Sequence, residues 1–108
     1  AFTDLKRIAF REAIEKVMDS LQLDALIYPS WNSKPARIDF FQDEYKGDNS
    51  QLIAPHTGQP AFTVPMGFTS GNLPAGLQFL GRMWSEPVLI QLTYAYEQGT
   101  LHRKPPRF

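Results

Sequence analysis

Between Ser50 and Arg82 the chain places Gly or Pro at every joint of an otherwise apolar stretch, and that punctuation leaves few folds open. Ala61 to Phe68 reads as a strand: Thr63 and Val64 are β-branched, and Pro65 marks an end or an edge position, where a missing N–H is tolerated. Thr69-Ser70-Gly71-Asn72-Leu73-Pro74 supplies a turn, and Ala75 to Arg82 returns as a second strand. A connection this short cannot make a crossover, so 61–68 and 75–82 are predicted to pair antiparallel. Just upstream, residues 50–56 have room for a short helical turn before Pro55.

The flanks supply the remaining elements. Leu5, Ile8, Ala9, Ala13, Ile14, Val17, Met18 and Leu21 recur at helical spacing, with Lys6, Arg7, Arg11, Glu12, Glu15 and Lys16 over much of the other face. This predicts an amphipathic helix over 4–21, capped by Thr3 and favoured by the Asp4 charge at the positive end of its dipole. Asp24-Ala25-Leu26-Ile27-Tyr28-Pro29 is a short apolar run stopped by proline, the pattern of a strand buried on both faces. Residues 30–50 turn polar, with Trp31, Phe40, Phe41 and Tyr45 interspersed, which predicts an ordered loop that covers something. Ser85 is placed to cap a last helix over 86–99, with Val88, Leu89, Leu92, Ala95 and Tyr96 as its buried stripe. Neither helix is stable alone, so both are expected to pack on the sheet of an α/β fold.

Composition narrows the function classes. The 108 residues are one domain or a piece of one, 43% hydrophobic, and too rich in aromatics for disorder. Eleven basic and eleven acidic side chains cancel, which argues against nucleic acid or an anionic membrane surface as partner. The basic end, His102 to Arg107, reads as a solvated tail. The absence of Cys removes disulfides, thiolate nucleophiles and zinc–sulfur sites, and is compatible with a cytoplasmic location. No apolar run reaches membrane-spanning length, and the N-terminus carries no signal-peptide pattern. The chain begins without Met in helical sequence, so the simplest expectation is a segment of a longer protein.

Few residues form a chemical constellation. The glycines of Gly71-Asn72-Leu73-Pro74-Ala75-Gly76 have phosphate-loop spacing, but Leu77 and Gln78 stand where Lys and Ser/Thr are needed. No Gly-x-Ser-x-Gly elbow exists, and a triad of Ser50, His56 and Asp48 on one short segment lacks the orienting geometry. No metal site and no cofactor are expected. Three residues are candidates for binding. His56 either lines a pocket or is a loop histidine satisfied by backbone. Asp48 either binds an amine or amide N–H through its carboxylate or caps a turn. Trp31, directly after the 24–29 strand, either walls a ligand pocket or fills the space under the long loop.

Asp24-Ala-Leu-Ile-Tyr-Pro29, Gly58-x-Pro60-Ala61, Val64-Pro65-Met66-Gly67, Leu73-Pro74-x-Gly76-Leu77-Gln78 and Ser85-Glu86, in this order and spacing, resemble the C-terminal third of amidase signature hydrolases. That family includes bacterial amidases, fatty-acid amide hydrolase and the A chain of glutamyl-tRNA amidotransferase. The resemblance runs from Leu5 to about Pro106. It implies the C-terminal part of the amidase signature fold, with a mixed sheet. It also implies C–N hydrolysis of a carboxamide through a serine acyl-enzyme. The family's Ser–Ser–Lys triad lies in a Gly/Ser-rich signature upstream, and no such signature occurs here. The resemblance therefore implies a scaffold and substrate-pocket segment spanning 1–108, inactive alone and without catalytic residues of its own. The alternative is a stand-alone binding or interaction module. In the glutamyl-tRNA amidotransferase, an aspartate at a similar distance before the Gly-x-Pro bend contacts the amide, and Asp48 is the matching position. Strand edges and helix faces without their missing neighbours imply self-association.

Overall fold

The computed structural model describes residues 3–107. Its elements are helix α1 (Leu5–Ser20), strand β1 (Leu26–Pro29), a 3-10 turn (Ile38–Phe40) leading into a one-turn helix α2 (Phe41–Glu44), a second 3-10 turn (Ser50–Leu52) leading into α3 (Ile53–Thr57), strands β2 (Ala61–Phe68) and β3 (Pro74–Leu80), and helix α4 (Glu86–Thr100). The α/β order is the one the punctuation predicts. The three strands form one sheet in the order β1-β3-β2, antiparallel throughout. Leu80 pairs with Leu26 on one side and Ala61 on the other, and Phe68 closes the hairpin opposite Pro74.

Proline decides a detail of that sheet. The β2–β3 register shifts between Pro65 and Gly67, so Met66 is an extra residue in a bulge. Pro65 has no N–H to give a ladder, and it sits on an outer strand at the irregularity, where none is needed. The turn that follows closes through Thr69 N–H to Leu73 O at 2.7 Å and Asn72 N–H to Thr69 O at 3.1 Å. β3 ends at Leu80, earlier than expected, because Gly81 leaves the ladder and donates its N–H to Pro60 O at 3.0 Å.

The core is small. Val64, Phe79 and Leu89 are buried together, with Phe62, Leu77, Leu92 and Tyr96 packed around them, so α4 lies across β2 and β3. The Phe79 and Tyr96 rings meet edge to face at 5.8 Å. On α4 the inward row is Leu89, Leu92, Thr93 and Tyr96, whereas Val88 and Ala95, expected inside, face out. Thr93 fits the interior because its hydroxyl donates back to Leu89 O at 2.7 Å.

α1 departs furthest from its pattern. It leans on α3, and its inward row is Ile8, Arg11, Ile14, Glu15 and Met18. Arg11 and Glu15 in this row, and exposed Asp19 beside it, are anchors. Arg11 donates to Thr57 O at the C-terminal end of α3, Glu15 accepts Met83 N–H at 2.8 Å, and the Asp19 carboxylate pairs with Arg82 at 2.9 Å. Apolar Phe10, Val17 and Leu21 are left 45%, 52% and 63% exposed. The two caps also differ from expectation. Asp4, not Thr3, accepts the N–H groups of Lys6 and Arg7. Ser85 occupies the N-cap of α4 but turns its hydroxyl to Arg82 O at 2.6 Å.

β1 is not buried on both faces: it is an outer strand, and Ile27 is 61% exposed. The radius of gyration, 15.8 Å, exceeds the about 13 Å of a compact domain this long. The chain is a thin, open slab. No helix among the described residues is long and apolar enough to cross a membrane.

Candidate functional site

The 30–50 segment folds back over the end of the sheet where β1 stops and β3 begins. Trp31 leaves β1 two residues after Pro29, and its indole Nε1–H donates to Lys46 O at 2.9 Å. Tyr45 meets the same indole at a centroid distance of 5.8 Å. On the same stretch, Asp48 N–H donates to Asn32 Oδ1 at 2.9 Å, so 31–32 and 45–48 are stitched side by side. Gly47 passes close against the indole at φ 148°, and a Cβ there would overlap the ring. A glycine is what lets the backbone cross an aromatic ring this closely.

Under this stitched loop lies a hollow of about 850 Å³. Trp31, Phe41, Tyr45 and the bulge residue Met66 give it apolar walls, and Pro29, Ser30 and Pro74 to Gly76 form the floor at the strand ends. Ser30 is held in the floor by its N–H to Gly76 O at 2.9 Å and by its hydroxyl to Thr63 Oγ1 at 3.2 Å. The hydroxyl of Ser33 donates to Lys34 O. Both serines thus spend their protons on neighbours, and neither is hydrogen-bonded to a base. Largely apolar walls with a few convergent polar groups are the make-up of a small-molecule binding site.

Of the three residues singled out from sequence, Trp31 lines this hollow, and Asp48 and His56 do not. Asp48 stands next to it, beyond Asn32, in solvent. Its Oδ1 accepts both the hydroxyl of Ser50 at 2.7 Å and the Ser50 N–H at 3.1 Å. The Ser50 hydroxyl first, and then its N–H, hold the Asp48 carboxyl below the usual aspartate range. His56 sits on α3 with Nδ1 2.8 Å from Leu52 O, which fixes Nδ1 as the protonated nitrogen and leaves Nε2 as the acceptor. The Gly58-Gln59-Pro60 bend after it is rigid. Gly58 ends α3 in the left-handed region at φ 79°, and buried Gln59 donates to Gly81 O at 3.0 Å.

The lysines of the lining, Lys34 and Lys46, were not singled out from sequence. Each sits in a polar loop, where a lone Lys is ordinary; only the fold brings both to one aromatic wall. Among the described residues no group of His, Cys, Asp and Glu is placed to hold a metal.

Comparison with known proteins bears on this geometry. The family model described as Amidase matches residues 2–90. A probable amidase of Arabidopsis thaliana is 37% identical over 98 residues, 91% of this chain and 16% of that protein. The A chain of the glutamyl-tRNA(Gln) amidotransferase of Thermodesulfovibrio yellowstonii is 34% identical over 102 residues, 90% of this chain and 20% of that one. The solved structure of native peptide amidase from Stenotrophomonas maltophilia superposes with a TM-score of 0.75 at 40% identity, covering 94% of this chain and 21% of its own. The chain spans between 16% and 21% of the length of these relatives.

Proposed function

The chain belongs to the amidase family, and from that membership we propose that it forms the scaffold and substrate-pocket segment of an amidase, a hydrolase that opens a carboxamide C–N bond through a serine acyl-enzyme. The nucleophilic serine, its serine neighbour and the lysine base are then supplied by residues outside these 108. Alone, the 108 residues do not turn over amides. The hollow beside Trp31 carries this reading. It is shaped to hold the apolar body of an amide, and its own serines are tied to neighbours and not to a base.

In the intact enzyme Trp31, Asp48 and His56 stand on the substrate side, on segments at strand ends, where binding groups commonly sit. Trp31 walls the site. Asp48 uses only Oδ1 internally, which leaves Oδ2 for a substrate N–H. His56 offers Nε2 as acceptor. The substrate is a small-molecule amide, without nucleic acid or membrane, and we place the protein in the cytoplasm. The open slab supports self-association of the isolated chain, through the outer edges of β1 and β2 or the exposed face of α1.

Amide hydrolysis by a longer parent chain, compared with that of the purified 108 residues, tests the assignment. Turnover by the 108 residues that is lost on Ser50→Ala or His56→Ala would place the chemistry inside this segment and overturn it. The rival reading is a stand-alone binding module. An in-frame Gly/Ser-rich signature upstream in the coding sequence decides for the enzyme.

A further inference from the structure

Three aromatic residues, Trp31, Phe41 and Tyr45, line the hollow, and the fold makes little use of two of them. The Trp31 indole is pinned by its bond to Lys46 O and by the backbone of Gly47 against it. Tyr45 meets it at 5.8 Å with the ring planes 54° apart, so the two rings stand at an angle and do not stack. Tyr45 and Phe41 are 64% and 57% exposed, and neither belongs to the core under α4. Phe41 pairs with no other ring among the described residues. Aromatic side chains that stand outside the core and converge on one concavity are suited to a ligand. Rings attract other rings, edge to face, beyond the area they bury. Met66 lines the same hollow from the bulge, and a thioether likewise favours an aromatic neighbour. Because Trp31 is already fixed, little ordering is left for a ligand to impose on that wall.

We propose that the hollow selects carboxamides with an aromatic acyl body over saturated ones of the same size, the ring lying in the angle between Trp31 and Tyr45. This deepens the pocket reading and rests on it. A saturated ring buries at least as much apolar area as its aromatic counterpart, so area alone predicts equal affinity or the reverse order. Only ring–ring and sulfur–ring attraction favours the aromatic body.

NMR-monitored titration of the 108-residue chain with benzamide and with cyclohexanecarboxamide tests this, since the two carry one carboxamide on six-membered bodies of similar size. The indole N–H signal of Trp31 reports the hollow, and that of Trp84, which does not line it, is the control. Benzamide is expected to bind about fivefold tighter than cyclohexanecarboxamide, the effect of one well-placed ring pair. It should move the Trp31 signal and leave that of Trp84 in place. In Tyr45→Leu, which keeps an apolar wall but removes a ring, the preference should shrink while affinity for cyclohexanecarboxamide is retained; Tyr45 is on an exposed loop, and the amide spectrum confirms that this variant is folded. Equal binding of the two probes, or a preference undiminished in Tyr45→Leu, overturns the aromatic selection and leaves the pocket standing. Binding of neither, or shifts that spare Trp31, overturns the pocket itself and the selection with it.

Discussion

Trp31 Nε1 donates to the carbonyl oxygen of Lys46 at 2.9 Å, and this bond joins the exit of an outer strand to the far end of a loop fifteen residues later. It converts a polar, Pro-containing segment into one wall of a cavity. A flexible loop would expose the ring; this one holds it tilted against Tyr45 and close under Gly47.

Gly47→Ala follows from that contact. A Cβ at this position meets the indole, and φ 148° is strained for any side chain, so the loop must open. Trp fluorescence is expected to shift toward that of a solvated indole and binding of an aromatic carboxamide in the hollow to fall. The melting temperature should change little, because the core of Val64, Phe79 and Leu89 lies under α4, away from this loop. A large loss of melting temperature with unaltered fluorescence would refute the contact's role.

Leu89→Ala removes a fully buried side chain from the centre of the core. Such truncations cost about 2–5 kcal/mol, most of the margin of a domain this small. Val88→Ala, one residue away and 38% exposed, should cost well under half as much. Urea titrations of the two variants in parallel check the ratio.

Two carboxylates give a pH dependence of known sign. The N–H of Arg7, then that of Lys6, lower the carboxyl of Asp4, and Ser50 lowers that of Asp48. A folded-state pKa below the unfolded value means a contribution to stability that is fully present above about pH 4 and lost as the pH falls through the folded value. The melting temperatures of Asp4→Asn and Asp48→Asn should therefore lie below wild type at pH 6 and converge with it toward about pH 2. A gap that widens on acidification would contradict the assignment.

In a longer parent enzyme, Asp48→Ala is expected to lower kcat/KM without unfolding the protein, if its Oδ2 meets the substrate. If the carboxylate serves only the Ser50 turn, the change lowers stability and leaves the kinetics of the folded enzyme untouched. Steady-state kinetics combined with thermal melts separate the two outcomes.

Light scattering of the dilute 108-residue chain is expected to give twice the monomer mass, with dye binding to exposed apolar surface. Phe10 and Val17 on α1, Leu21 at its C-terminal cap and Ile27 on β1 supply that surface. A sharp monomer mass without dye binding overturns it.

The local order of the chain was legible because its signals are local. β-Branched and apolar runs between glycines and prolines specify the β2–β3 hairpin, its turn, and the helix on either side, and the segment pattern around Gly58-x-Pro60 and Leu73-Pro74-x-Gly76 carried the amidase resemblance. Burial was not legible in the same way. Helical spacing put Leu5, Ile8, Ala9, Ala13, Ile14, Val17, Met18 and Leu21 on the packed stripe of α1; Ile8, Ile14 and Met18 do face inward, but Arg11 and Glu15 from the polar face join them, because they satisfy the carbonyl of Thr57 and the N–H of Met83, and the other five are left exposed. Such partners lie 46 and 68 residues away and leave no trace in periodicity.

The sequence by itself determined the elements, their order and the antiparallel hairpin, since propensity, turn chemistry and a connection too short for a crossover act within a few residues. It also determined that Trp31 would follow a strand into a long aromatic loop. Only the tertiary structure decided that Trp31 and Lys46 meet, that the Met66 bulge and Lys34 reach the same hollow, and that His56 stays on α3 outside it. Those relations depend on the order β1-β3-β2, which brings the end of β1 beside the start of β3 from distant parts of the chain, and no local propensity encodes a distance across a sheet.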